Sequence, residues 1–213
     1  MSDRAPRNTL TRDRVLAGAF ELADAKGLEA LTIRALAAHL GVRPMSIYHY
    51  VATKDALLDA LVDGVFETIA RPSSSGDWRD ELADRARSVR AAMAAHPWAL
   101  SVMETRAHPG LANLAGHEAV LAVLRGAGFS VEAAGHAFAV LDAFVYGFAL
   151  QDAMLRQVGL DTDAAELRDG MPLEGFPHIA EQAERYVTDA YPIADSFEVG
   201  LGIVLDGIAK LRT

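Results

Sequence analysis

The residues best suited to specific chemistry lie between Ile33 and Tyr50. Ala37 supplies a small side chain where two crossing helices need one, and Gly41, four residues later, tolerates the left-handed backbone of a tight turn. Apolar side chains stand where the two helices would pack on each other, at Leu36, Val42 and Ile47. This spacing predicts a helix-turn-helix, although an ordinary helical hairpin, whose turn also favours glycine, is the alternative.

The helix after this turn carries polar and aromatic side chains that suit the major groove of DNA. Around a buried Ile47 we expect an outward-facing set consisting of Pro44, Met45, Ser46, Tyr48, His49 and Tyr50. Hydroxyl and imidazole groups can bond to phosphates and base edges, and a methionine can contact a thymine methyl. Tyr48 and Tyr50 could instead be half-buried packing residues.

The distribution of charge favours the same segment. The net charge is −9, with +2 in residues 1–55 and −11 in residues 56–213, and no acid lies between Glu29 and Asp55. The cations in this acid-free window include Arg34, Arg43 and Lys54. Arg34 starts the second predicted helix and Lys54 starts the fourth, where backbone N–H groups also attract anions. We predict a phosphate clamp on both sides of the third helix, the alternative being a chance gap in the acids.

Helical periodicity organises nearly the whole chain, because apolar residues recur at every third and fourth position and strand-like alternation is missing. The predicted fold is all-α, with a three-helix DNA-binding head over residues 1–55, a connecting helix over 56–72 and a larger helical body over 77–213. The predicted helices cover about 12–26, 32–41, 44–50, 54–70, 77–95, 97–105, 110–126, 131–157, 177–190 and 195–211.

Composition excludes several classes of protein. The chain is 51% hydrophobic and has no cysteine, which excludes a disulfide scaffold, a thiolate zinc site and a thiol nucleophile. It has no Gly-rich phosphate loop, no His-Glu-x-x-His and no Gly-x-Ser-x-Gly, and its seven histidines are scattered. We therefore expect no enzyme activity, no catalytic residue, no cofactor and no metal. A charged N-terminal segment and the lack of a charge-free apolar run of about 18 residues predict a cytoplasmic protein without a membrane span.

The segment described above resembles the DNA-binding head of the TetR family of transcriptional regulators. The resemblance covers Thr32–Ala37, Gly41-Val42 and Ser46–Leu58, and its specific part is Ser-x-Tyr-x-Tyr followed by Lys-x-x-Leu. Val51 departs from it, since the family often has Phe there. The resemblance implies a homodimer on a palindromic operator of double-stranded DNA, with a body that senses a small-molecule effector and shifts the heads.

A weaker resemblance extends to the C-terminal domain of the Tet repressor subgroup. It rests on Trp78, Gly128-Phe129-Ser130, Phe144 and Gly147. In that subgroup a histidine and an amide contact tetracycline, and an acid supports its metal; Ala70, Val120 and Gln151 stand at those positions here. A metal-dependent effector is therefore not expected, and we predict a largely apolar effector with at most one cationic or hydrogen-bonding group that meets Asp142.

The body helices carry large apolar side chains with few polar groups among them, which describes either a small-molecule pocket or a plain helical core. The candidate pocket residues are Trp98, Met103, His117, Val120, Phe138, Asp142 and Gln151. Phe138 and Asp142 lie one turn apart, and the resemblance implies that this part of the long helix faces the ligand.

The long helix predicted over 131–157 and the last helix predicted over 195–211 carry a pattern typical of close helix packing. Glycine costs about 1 kcal/mol in a helix interior, so glycines there indicate close approach of another helix. The candidate dimer residues are Ala139, Ala143, Gly147, Gly200, Val204 and Gly207. The resemblance implies a four-helix interface from two subunits, while packing of these glycines within one chain is the alternative.

Three hypotheses follow from these patterns. The first is a ligand-responsive transcriptional repressor. The second is a regulator with the same head that activates transcription or has lost its ligand. The third, from a different class, is a helical protein-interaction or scaffold protein without DNA binding.

Overall fold

The computed structural model describes residues 10–103, 109–157, 168–188 and 193–212. These ranges contain helices and no strand, which confirms the predicted all-α fold. The helices, numbered in chain order, are α1 (Arg12–Lys26), α2 (Ile33–Leu40), α3 (Pro44–Ile47), α4 (Lys54–Thr68), α5 (Trp78–Ala95), α6 (Trp98–Met103), α7 (Leu111–Gly126), α8 (Val131–Gln157), α9 (Pro177–Thr188) and α10 (Ile193–Ala209). The predicted ends at 104–105 and 189–190 fall outside the described residues.

Threonine caps begin three of the first four helices, as the sequence predicts. Thr11, Thr32 and Thr53 have extended backbones, and each side-chain oxygen accepts a hydrogen bond from the backbone N–H three residues later, at 3.2, 3.0 and 3.0 Å. Such a cap satisfies an otherwise unpaired donor and contributes about 1 kcal/mol. Local sequence therefore fixes where α1, α2 and α4 begin.

The turn between α2 and α3 has the geometry that Gly41 was expected to permit. Gly41 adopts φ 68° and ψ 32°, and its N–H donates to the carbonyl of Ala38. The N–H of Val42 donates to the carbonyl of Ala37 at 2.9 Å. These two bonds form a Schellman motif, which satisfies the last carbonyls of a helix when a left-handed residue follows it. The turn is thus set by its own backbone.

Two predicted helices in the first half of the chain end two or more residues earlier than expected. The third was predicted to reach about Tyr50, but α3 ends at Ile47, whose carbonyl accepts from the N–H groups of both Tyr50 and Val51. The fourth was predicted to reach about Ala70, but α4 ends at Thr68 because Ile69 is extended, with φ −75° and ψ 131°. The periodicity of apolar residues continues past both ends, so it did not mark them.

The chain divides into two compact units. The N-terminal unit consists of residues 1–69 and 95–117, and the C-terminal unit consists of residues 70–94 and 118–213. By this division α6 belongs with the helices of the head. The predicted limits at residues 55, 72 and 77, which rest on sequence pattern and resemblance, stay a prediction.

The core of the N-terminal unit holds the helix-turn-helix together. Leu36 and Ile47 are fully buried, as expected for residues that pack α2 and α3 on each other, and so is the small Ala37. Val42, the third residue expected in this packing, is only half-buried. Asp24 of α1 accepts hydrogen bonds from the indole N–H of Trp98 at 2.6 Å and pairs with His96 at 2.8 Å. These bonds tie α1 to the beginning of α6 within this unit.

The core of the C-terminal unit is built from aromatic contacts between helices. The rings of Trp78 and Phe129 meet edge to face at 5.2 Å between centroids. Phe197 of α10 packs against Phe144 and Phe148 of α8, with centroids 5.4 Å away in each case. Such pairs add about 0.5–1.5 kcal/mol to the area that they bury. They hold α10 firmly against α8.

The long helix α8 combines 27 residues with a largely apolar composition. Among the described residues it alone is long and apolar enough, over Val131–Leu155, to cross a membrane, although only 33% of its most apolar stretch is buried. The core helix of a soluble protein can have the same length and composition, so these two properties are weak evidence for a membrane span. Leu141, Val145 and Ala149 give it a buried face, and the opposite face stays exposed.

Candidate nucleic-acid interface and ligand site

The predicted DNA-reading face lies on and directly after α3. Pro44 occupies the first helical turn and Ile47 is fully buried beneath it. Met45 is 71% exposed, Tyr48 and His49 are exposed, and Ser46 is half-buried. The expected outward arrangement of side chains around Ile47 is therefore present for these residues, and their contact with DNA stays a prediction.

Tyr50 makes an internal contact that the sequence did not predict, and its contact with DNA stays a prediction. It is half-buried, and its hydroxyl donates a hydrogen bond of 2.6 Å to the backbone carbonyl of Leu10. Because that proton is used inside the unit, Tyr50 anchors the segment before α1. This corrects its placement among the outward-facing residues and favours the packing alternative.

Three cations surround α3 and have no partner among the residues that the structure describes. Arg34 is exposed in the first turn of α2, Arg43 is exposed just before α3, and Lys54 is exposed at the start of α4. Within the part of the chain that the structure describes, none of the three forms an ion pair or a side-chain hydrogen bond. Two of them also lie at helix N-termini, whose partial positive charge attracts phosphate. The arrangement is chemically suited to a polyanion.

The candidate pocket residues fall into two groups. Trp98, Met103 and His117 belong to the N-terminal unit, and the indole N–H of Trp98 is already bonded to Asp24 there. The other four belong to the C-terminal unit, where Val120 is buried, Phe138 and Asp142 are partly buried, and Gln151 is exposed on α8. The structure thus gives Trp98 a structural contact and leaves Gln151 on the surface; membership of a pocket stays a prediction for all seven.

The structure brings Asp142 together with two residues that the sequence did not single out as site residues. We call Arg85 of α5 with Asp142 and Tyr146 of α8 the Arg85 cluster. Arg85 is only 6% exposed, and its guanidinium donates a bond of 3.3 Å to the carbonyl of Ala70. The chain itself therefore supplies a cation near Asp142, and the expected cationic or hydrogen-bonding effector group at this carboxylate stays a prediction.

Burial dominates the electrostatics of the Arg85 cluster. Burial raises the pKa of Asp142 to about 6, although the positive charge of Arg85 acts in the opposite direction. Burial also lowers the pKa of Arg85, against the opposing effects of Tyr146 and Asp142. The pKa of the Tyr146 hydroxyl is raised by burial and by the carboxylate of Asp142. A sequence signal for Arg85 did exist, since it interrupts the buried series Leu82, Ala86 and Val89 on one helix face.

A second group of charges in the C-terminal unit borders a cleft of about 300 Å³. Arg87 pairs with Glu198 at 2.8 Å, and Arg90 pairs with Asp152 at 2.7 Å. The guanidinium of Arg90 also lies 4.6 Å from the ring centre of Phe197. Because each of these charged side chains has a partner, we interpret them as ion pairs that join α5 to α8 and α10.

The candidate dimer residues divide by what they face. Ala139, Ala143, Gly147 and Gly207 are exposed and Val204 is half-buried. A Cβ at Gly147 or Gly207 would meet open space, whereas one at Gly200 would lie 2.7 Å from the ring of Phe144 in the same chain. The close approach that Gly200 permits is therefore internal, and it corrects the reason for which this glycine was assigned to the dimer face.

Larger apolar side chains, which the sequence analysis did not select, are exposed on the same two helices. They are Val140, Leu150 and Met154 on α8, and Val199 and Ile203 on α10. Ile203 is 67% exposed. Isolated exposed apolar residues are ordinary, but a group of them beside small residues marks a surface suited to another protein surface.

Comparison with known proteins identifies the class. Residues 15–61 match the family model of bacterial regulatory proteins of the tetR family, and residues 72–212 match that of the tetracyclin repressor-like C-terminal domain. The chain is 36% identical to the HTH-type transcriptional repressor DrrR1 of Streptomyces coeruleorubidus, over 98% of this chain and 80% of that protein.

Solved structures agree with these matches. A possible TetR family transcriptional regulator from Streptomyces coelicolor A3(2) superposes with a TM-score of 0.80 at 29% identity, over 95% of this chain and all of that one. The TetR family protein ActR of Streptomyces coelicolor, in complex with actinorhodin, superposes with a TM-score of 0.75 at 28% identity, over 95% and 98% of the two chains.

The chain belongs to the TetR family. It is a DNA-binding transcriptional regulator with a tetracyclin repressor-like C-terminal domain, and not an enzyme. The family match also sets aside the alternative of a scaffold protein without DNA binding.

Proposed function

We propose that the protein is a cytoplasmic repressor that binds a palindromic operator as a homodimer and leaves it when a small, largely apolar molecule binds the C-terminal unit. The observation that carries the proposal is the exposed face of α3 with Arg34, Arg43 and Lys54 around it. The exposed polar and aromatic side chains around the buried Ile47 can contact base edges, and the three cations can hold the helix on the phosphate backbone.

Dimerisation is supported by the exposed apolar surface of α8 and α10. Val140, Met154, Val199 and Ile203 are exposed there beside Gly147, which has open space at its Cβ. A helix-turn-helix dimer places two reading helices on half-sites one helical turn apart, which requires a stable two-fold interface. This surface is the one on the described residues that best suits a second copy of the chain.

Response to a ligand is supported by a relative. ActR has been solved with actinorhodin bound, and it covers nearly the whole of this chain at 28% identity. The resemblance implies that Ala70 and Val120 stand where the Tet repressor subgroup has polar groups, so we expect apolar area to supply most of the recognition. A ligand releases DNA only as far as it prefers the non-binding state, and a hundredfold preference supplies about 2.7 kcal/mol.

Footprinting on promoter fragments from the neighbourhood of the chain's own gene tests the proposal. The purified protein should protect a palindromic site whose two halves are one helical turn apart. Tyr48→Ala should lose the specific footprint while its melting temperature stays unchanged, since Tyr48 is exposed. A protein that protects no fragment from its own genome would exclude an operator-binding repressor.

A further inference from the structure

The Arg85 cluster is a group of polar side chains that neither DNA binding nor dimerisation explains, with Arg85 buried and Asp142 and Tyr146 half-buried. Within the residues that the structure describes, the cluster makes one side-chain hydrogen bond, from Nη1 of Arg85 to the carbonyl oxygen of Ala70 at 3.3 Å. A guanidinium has five N–H donors, a carboxylate accepts through two oxygens, and a phenol can do both. Most of this hydrogen-bonding capacity is therefore unused by the described part of the chain.

The cluster does not have the geometry of a structural ion pair. Asp142 is close enough to Arg85 to oppose the lowering of its pKa. Among the described residues, however, no nitrogen–oxygen contact of 4.0 Å or less joins the two side chains. A buried structural pair usually gains its stability from a short, bidentate contact. A buried polar group with few partners is rare in a folded protein, and a bound ion or polar ligand is one explanation for it.

We propose that the effector carries an anionic oxygen group, a carboxylate or an ionised phenol, that binds the guanidinium of Arg85, and that Asp142 takes up one proton from solvent as it binds. This inference rests on the proposed function, because it names the chemistry of the effector. No bond of the effector forms or breaks. One proton moves from solvent to a carboxyl oxygen of Asp142, so the cluster exchanges its own anion for that of the ligand.

Proton uptake follows from the charges at the cluster. A second anion beside an ionised Asp142 would be repelled strongly in a buried environment, where charges are poorly screened. The groups that face Asp142 are Arg85 from α5 and the Tyr146 hydroxyl from its own helix. Because burial raises the pKa of Asp142 to about 6, its neutral form is readily accessible near pH 7. An effector that stays ionised therefore binds more weakly as the pH rises above about 6, because Asp142 must then take up a proton before it binds.

Matched pairs of aromatic probes test the inference on the full-length protein. Each pair consists of a carboxylate and its neutral amide: benzoate with benzamide, 1-naphthoate with 1-naphthamide, and 9-anthracenecarboxylate with 9-anthracenecarboxamide. Titrations by calorimetry run from slightly acidic to slightly alkaline pH, where the acids stay ionised. For the pair of best-fitting size, the carboxylate should bind at least ~10-fold more tightly than the amide near pH 6. Its affinity should then fall by up to ~10-fold per pH unit, while that of the amide stays constant.

Variants separate the two parts of the inference. Arg85→Met, which keeps the length of the side chain, should abolish the preference for the carboxylate and leave amide binding intact. Asp142→Asn should keep the preference and remove its pH dependence. Arg87→Met, the same change at an exposed arginine of the same helix, is the matched control and should behave as the wild type. Melting curves of each variant confirm that it is folded.

Three results would overturn the inference. The wild type could bind amides as tightly as carboxylates, Arg85→Met could keep the preference, or no carboxylate could bind at any pH. Operator footprinting is recorded on the same preparations. A protein that protects its operator but shows no preference for carboxylates refutes the effector chemistry alone, whereas loss of the footprint refutes the proposed function itself.

Discussion

Arg34→Ala should flatten the salt dependence of DNA binding by an amount that the structure allows to be worked out. Arg34 is exposed at the N-terminus of α2 and has no ion-pair partner among the described residues, so its removal changes no internal contact. A homodimer carries Arg34 twice, and each lost phosphate contact makes the negative slope of log K against log salt less steep by about 0.9. The slope should therefore fall by about 1.8, and a fourfold increase in salt should weaken the wild type about twelvefold more than the variant.

The assay is fluorescence anisotropy of labelled operator and of unrelated duplex DNA over a series of salt concentrations. Affinity for both DNAs should fall together, because a phosphate contact carries no sequence information. Lys54→Ala should give the same change, and Lys210→Ala, an exposed lysine of the C-terminal unit, is the control that should keep the wild-type slope. Wild-type slopes in both Arg34→Ala and Lys54→Ala would refute the phosphate clamp.

Three further outcomes are expected. Tyr50→Phe should lower the free energy of unfolding by about 1 kcal/mol in chemical denaturation, because it removes the hydrogen bond to Leu10, and it should leave operator affinity at a fixed fraction folded unchanged. Ile203→Glu should convert the dimer to a monomer in sedimentation, whereas Ile179→Glu, at an exposed isoleucine of α9, should not. If Ile203→Glu stays dimeric, the exposed apolar surface of α8 and α10 is excluded as the dimer interface. The pKa of Asp142 is raised from 3.8 to about 6, so the folded state holds its proton more tightly than the unfolded state does. The free energy of unfolding should therefore decrease as the pH rises from about 4 to about 6, by at most about 3 kcal/mol. This decrease should be missing in Asp142→Asn.

The sequence predicted the architecture because its signals are local. Thr11, Thr32 and Thr53 cap helices through bonds that span three residues, and Gly41 ends α2 through its own backbone conformation. Periodicity predicted α8 over the range at which it is found. It overestimated α3 because a turn with the same apolar spacing follows the helix.

The candidate sites were harder to predict because they depend on contacts between distant parts of the chain. Tyr50 meets Leu10 across 40 residues, and no local pattern distinguishes such a tyrosine from one that faces DNA. Gly200 carries the same signal whether its neighbour is another subunit or Phe144 of the same chain. Arg85 and Asp142 come together only when α5 packs near α8, so their joint chemistry has no signature in either helix alone.

The brevity of α3 has a consequence for how such a regulator changes its target. A single helical turn has little stability of its own, so its shape is imposed by the Gly41 turn and by the buried Ile47. Met45 and Tyr48 are exposed, and exchange of exposed residues typically changes stability by less than about 0.5 kcal/mol. Mutations can therefore explore new operator sequences almost independently of folding, and duplicated copies of the gene can acquire separate regulons while they keep the same framework.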